Sequence, residues 1–276
     1  MSFRNIVLRA LLIPLRLSVG LKYYISQSNN LFRWLFASKE KTNFTYDLDN
    51  LNEEYLISFV SLVTGVNVEQ IKKYVIELES DTKLADHIKT LTHANPRAYM
   101  ADEVAKYGRR LGWYAIIRAK KPKLVVETGI DKGLGSCVIA AALMKNAEEG
   151  SEGHMYGTDI NPRAGYLLQE PYSNYGKILY GDSIQSLEKL SEKIDIFIND
   201  SDHSSDYEMR EYETIENKLS EGALILGDNA HCSDKLCRFA NRTGRVFMFF
   251  QEKPRDHWYP GAGIGAAFKS PGFANI

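Results

Sequence analysis

Between Leu124 and Phe268, short apolar runs alternate with amphipathic stretches. Leu124–Glu127, His154–Asp159, Lys177–Tyr180, Asp195–Asn199, Ala223–Gly227, Val246–Phe250 and Ile264–Phe268 read as strands. The stretches Ser136–Asn146, Arg163–Glu170, Ile184–Leu190, Tyr207–Leu219 and Ser233–Arg242 read as the helices between them. That alternation predicts an α/β fold whose mostly parallel sheet is covered on both faces. Upstream the pattern is helical only: Glu53–Val63, then Val68–Leu78 opened by Asn67, then Tyr99–Arg118. The polar run Asn43–Asn52 reads as a joint. The pattern divides the chain into a helical extension, residues 1–100, and an α/β domain, residues 101–276.

Composition adds little to this. With 276 residues, 44% hydrophobic and 25% charged, the chain is long enough for a large core and ordinary in balance. A net charge of −1 gives no reason to expect nucleic acid as a partner. Three cysteines (Cys137, Cys232 and Cys237) make no disulfide framework, which suits a reducing cytoplasm. The C-x4-C spacing of the last two reads as a buried thiol pair on one helix rather than half a zinc site.

Charge is unevenly placed, and this does change the picture. Residues 1–39 carry Arg4, Arg9, Arg16, Lys22, Arg33 and Lys39 and no acid, so the remainder carries −7. The first 20 residues are apolar but too interrupted by charge to span a membrane or act as a secretory signal. Two readings stay open for this arm. It is a helix lying on an anionic membrane surface, or one packed on the domain or on a second subunit.

The candidate chemistry gathers at strand ends. In Lys123–Ser136, KLVVETGIDKGLGS, an apolar strand ends on Glu127 and runs into Gly129, Gly133 and Gly135 before a helix. Such a turn lets backbone pass close under a ligand. Asp159 ends the second strand, Asp182 follows the third, and Asp200 follows the fourth. Asp182 serves equally well as a helix N-cap. IFINDSDHSSDY and LILGDNAH then bring Asp200, Asp202, His203, Asp228, Asn229 and His231 to two neighbouring strand ends. Two carboxylates and a carboxamide make an oxygen-only site for a hard cation such as Mg²⁺ or Mn²⁺. The aromatic and glycine-rich stretch Arg255–Gly265 reads as a loop folding over a substrate.

The spacing E-x-G-x-x-x-G-x-G-S resembles the first motif of the class I S-adenosylmethionine-dependent methyltransferases, in the longer form of the catechol O-methyltransferases. The D-x-D-H and D-N pair resembles the metal site of those enzymes and of macrocin-type sugar O-methyltransferases. The resemblance covers about residues 110–276. It implies a Rossmann-like sheet of seven strands, the last antiparallel, and divalent-metal-assisted methyl transfer to a hydroxyl of a small molecule or glycan. It places Glu127, Gly129, Gly133 and Ser136 at the cofactor, Asp159 on its ribose and Asp182 near its adenine. Asp200, Asp228 and Asn229 become metal ligands. His203 stands where catechol-type enzymes carry a lysine base, with Asp202 as its rival. A nicotinamide-dependent oxidoreductase on a similar sheet and a non-catalytic S-adenosylmethionine-binding protein are the alternatives.

Overall fold

The computed structural model describes residues 8–41, 44–202, 204–228 and 230–269. His203 and Asn229 therefore lie outside the described residues. The strands are β1 (Leu124–Thr128), β2 (His154–Asp159), β3 (Gly176–Tyr180), β4 (Ile194–Asn199), β5 (Leu219–Asp228), β6 (Val246–Gln251) and β7 (Gly263–Phe268). They form one seven-stranded sheet in the order β3-β2-β1-β4-β5-β7-β6. All neighbours are parallel except β7, which runs antiparallel to both β5 and β6. This is the expected fold class.

Side chains of β1 divide between two cores. Val125 joins one face, while Leu124 and Val126 join the other. The first face is covered by α2 (Asn50–Thr64), α3 (Val68–Glu79), α4 (Thr82–Ala94), α5 (Arg110–Lys120) and α6 (Leu134–Glu148). The second lies under α8 (Ser205–Ile215) and α9 (Lys235–Arg242), while α7 (Ser183–Lys189) follows β3. Each of α2, α3 and α4 opens on a side-chain cap, from Asp49, Asn67 and Asp81, that accepts an otherwise orphaned backbone N–H. The helical extension thus shares its apolar core with the sheet.

Three sequence expectations change. Arg163–Glu170 is not a helix: Gly165 takes a φ of 73°, and its N–H donates to Asp131 O at 2.6 Å while Leu167 N donates to Lys132 O at 3.1 Å. The segment is tied to the glycine-rich turn instead of to itself. Tyr99–Arg118 narrows to α5, because Asp102 accepts from Ser38 Oγ at 2.9 Å and Lys39 N at 2.8 Å, pinning the preceding stretch outward. Cys232 is exposed and precedes α9, so it makes no buried pair with Cys237.

Helix α1 spans Ile13–Ala37 and follows a short helical stretch over residues 8–11. Pro14 sits in its first turn, where a missing N–H costs nothing, so the proline separates α1 from the helical stretch before it. Among the described residues no helix is long and apolar enough to cross a membrane.

Candidate active site

A cleft of about 730 Å³ opens at the carboxyl ends of β1, β2, β4 and β5. Ligands collect at this edge of an open α/β sheet, because strands end there and helix N-termini face in. Its lining includes Glu127, Gly129, Asp159, Asp182, Asp200, Asp202 and Asp228. Two further walls come from far along the chain: Phe44, Thr45 and Tyr46 from the segment read as a joint, and Tyr259 and Ala262 from the loop after β6. That loop is folded against the joint, with the Phe44 ring 5.2 Å from Tyr259 and 5.3 Å from Trp258.

The glycine-rich turn is shaped by close approach. Gly129 has a φ of 80°, and a Cβ there would run into the backbone of Asp200 and Ser201. Only glycine lets the ends of β1 and β4 meet so tightly. A Cβ on Gly135 would strike the Glu127 carboxylate and the Trp113 ring. Glu127 is 1% exposed and accepts a hydrogen bond of 2.5 Å from Ser136 Oγ. Burial pushes its carboxyl up to about 7, against the opposing pull of Ser136 and of the Arg110 guanidinium. Ser136 is fully buried behind Glu127 and, like Gly133, is not part of the cleft lining. Arg110 does line it, and its buried Nε has no hydrogen-bond partner.

Asp159 spends both carboxylate oxygens on the loops around it. One accepts from Asn161 N at 2.8 Å and the other from Asp131 N at 3.0 Å. Each oxygen keeps a lone pair for a further donor. Asp182 caps α7 by accepting from Gln185 N at 3.0 Å, and also accepts from Tyr207 Oη at 3.0 Å. The capping role and a place in the cleft wall therefore coexist in one side chain.

Asp200 and Asp228 meet at the far end, Asp228 buried and Asp200 half-buried, hydrogen-bonded to each other. Arg109, in the first turn before α5, donates through Nε to one oxygen of Asp228 and through Nη2 to the other at 2.6 Å. Burial alone would raise Asp228, but the Arg109 charge holds it below its usual range. Burial and the Asp228 charge drive Asp200 well above its own. Arg109 is itself fastened by Glu252, which accepts from Arg109 N at 2.6 Å and from Tyr46 Oη at 2.9 Å. Among the described residues no three His, Cys, Asp or Glu side chains converge as a metal cluster. Asp202 is exposed and accepts from Ser204 N at 3.0 Å. His231 is exposed against Phe249, away from the cleft lining.

Two residues of this edge carried no motif. Arg109 is one. The other is Glu211 on α8, fully buried, which accepts from Thr128 Oγ1 at 3.1 Å, Ser201 Oγ at 2.8 Å, Asn199 Nδ2 and Ser183 Oγ. It ties together the ends of β1 and β4 and the start of α7. Its signal was present in the spacing Glu208, Glu211, Tyr212, Ile215, which puts two acids on the buried stripe of an amphipathic helix.

Residues 126–230 match the family model described as a methyltransferase domain. The O-methyltransferase TomG from Streptomyces achromogenes, involved in tomaymycin synthesis and solved with S-adenosylmethionine, is 13% identical to this chain. The likeness covers 67% of this chain and 90% of TomG, with a TM-score of 0.51. A candidate O-methyltransferase from Klebsiella pneumoniae is 17% identical over 67% of this chain and 89% of its own, with a TM-score of 0.50. No curated protein matches the chain. The sheet order, the glycine-rich turn within the matched span and the domain match agree: the chain carries a methyltransferase domain of the class I fold.

Proposed function

We propose that the chain transfers a methyl group from S-adenosylmethionine to a hydroxyl oxygen of a small molecule or glycan, aided by a divalent cation. One observation carries this reading: a single cleft joins Glu127, Asp159 and the Asp200–Asp228 pair in the order of the strands that bear them. Opposite charges suit the two ends of the cofactor's methionine portion. The Glu127 carboxylate is placed for its ammonium group, and the unpartnered Arg110 Nε for its carboxylate. Asp159 offers acceptors for ribose hydroxyls, and Tyr259 and Phe44 close the other side.

The Asp200–Asp228 corner suits a cation, since Asp228 already accepts from the Arg109 guanidinium through both oxygens. Asn229 adjoins it in sequence as a third oxygen donor, and together these three would hold Mg²⁺ or Mn²⁺. When bound, such an ion makes an acceptor hydroxyl more acidic. The sulfonium is already activated, so the protein's work is in-line positioning and removal of one proton. His203 is the proposed base and Asp202 its rival.

Titration calorimetry tests the reading. S-adenosylhomocysteine should bind in the micromolar range, about −8 kcal/mol, while NAD and NADP should not bind. Binding of a nicotinamide nucleotide without S-adenosylhomocysteine would overturn it.

A further inference from the structure

Helix α1 stands mostly off the body. Among the described residues its contacts with the rest lie near its end: the Trp34 ring lies 5.8 Å from Phe44 and 5.3 Å from Trp258, and Asn30 Nδ2 donates to His257 O at 3.5 Å. Leu17, Leu21, Tyr24, Leu31, Phe32 and Leu35 share one side of the helix and are exposed, and Leu15, Val19, Tyr23 and Phe36 are exposed on its other sides. Leu21 is 45% exposed and Phe32 60%. A stripe this apolar is not left open to water without a partner.

Charge says which partner. The helix and the residues before it hold Arg4, Arg9, Arg16, Lys22 and Arg33 and no acid. On a helical projection Arg16 lies to one side of this stripe, and Lys22 and Arg33 lie to the other. Such flanking lets basic side chains reach up to phosphates while the stripe sinks below them. Pairing two copies through the same stripe would set like charges side by side. At 25 residues the helix is about 37 Å long, yet it is not apolar enough to cross a bilayer.

We propose that α1 docks the protein on an anionic lipid surface, lying in the interface plane with the Leu17–Leu35 stripe buried in the bilayer. Because Trp34 packs against Trp258, next to the cleft residue Tyr259, docking would bring the cleft rim to that surface. The docking claim is independent of the reaction chemistry.

Flotation of the full-length protein with vesicles tests it. The protein should float with phosphatidylcholine vesicles containing phosphatidylserine, not with phosphatidylcholine alone, and should be released as salt rises. Leu21→Glu with Leu35→Glu, and separately Arg16→Glu with Lys22→Glu and Arg33→Glu, should each lower partitioning at least tenfold. Both should keep the parent's circular dichroism and S-adenosylhomocysteine affinity, so lost docking stays distinct from lost cofactor binding. No flotation at low salt, or variants that float as well as the parent, would overturn the proposal. A dimer in sedimentation that the Leu→Glu pair dissolves, without flotation of the parent, would assign the stripe to a second copy instead.

Discussion

Arg109 grips both carboxylate oxygens of Asp228 across 119 positions of sequence. The arginine side chain is 11% exposed and the aspartate side chain fully buried, so water cannot take over for either. Breaking such a pair from one side costs about 3–5 kcal/mol. Arg109→Met should therefore lower stability by that order, read from denaturant midpoints. Adding Mg²⁺ should raise the variant's melting temperature more than the parent's, because the ion then meets no guanidinium on Asp228. Equal Mg²⁺ shifts in the two proteins would mean that Arg109 and the ion do not compete.

Glu127 gives a prediction with two opposite signs. Its folded-state value of about 7 lies above the ordinary 4.5, so the folded protein holds the proton more tightly than the unfolded chain. That contribution is fully present below about pH 4.5 and is lost as pH rises to about 7. Glu127→Gln removes the loss. It should be more stable than the parent above pH 7, by up to about 3 kcal/mol, and nearly equal to it near pH 4. The same change should weaken S-adenosylhomocysteine binding by removing the partner of its ammonium. A variant less stable than the parent at pH 8 would show that the Glu127 charge is compensated in the fold.

What could be read from the chain, and what could not, follows from the range of the interactions. Strands β1 and β4 announce themselves because each apolar run is local and ends on a polar residue at the same sheet edge. Pro14 was harder, since proline suits a helix's first turn and breaks its interior, and the apolar pattern alone does not say which applies. The stretch after Asn161 misled because Gly165 binds the turn at Asp131, a contact between segments that no periodicity encodes. Arg109 was hidden for the same reason. It sits in an ordinary basic pair, Arg109-Arg110, and only the sheet brings it to Asp228. The joint Asn43–Asn52 looked like polar spacer, yet its Phe44 and Tyr46 wall the cleft.

Asp159 tests the ribose end. Its oxygens already accept two backbone N–H groups, so truncation removes loop ties as well as ligand acceptors. Asp159→Asn keeps one acceptor oxygen and the side-chain volume, and should weaken S-adenosylhomocysteine by about 1–3 kcal/mol, the worth of a hydrogen bond to a charged group. Asp159→Ala should lose more and also loosen Asp131 and Asn161, seen as faster amide exchange there. If Asp159→Asn binds as tightly as the parent, the ribose sits elsewhere.

The cation and the base can be separated by measuring each apart from turnover. Mn²⁺ should bind the parent with an affinity readable by electron paramagnetic resonance, and EDTA should strip it. Asp228→Asn removes one anion from the pair and should abolish Mn²⁺ binding while leaving S-adenosylhomocysteine affinity within about threefold, about 0.7 kcal/mol. That independence is expected because Asp228 lies at the end of β5, while Asp159 ends β2 and Glu127 lies one residue before the end of β1. His203→Ala should keep both ligands yet lose about 10²–10⁴ in rate, the usual worth of a positioned general base. The opposite pattern, near-normal turnover in His203→Ala and none in Asp202→Ala, would give the proton to Asp202. Mn²⁺ bound equally well by Asp228→Asn and the parent would move the cation off this corner and leave Arg109 as the only charge that the pair was built to hold.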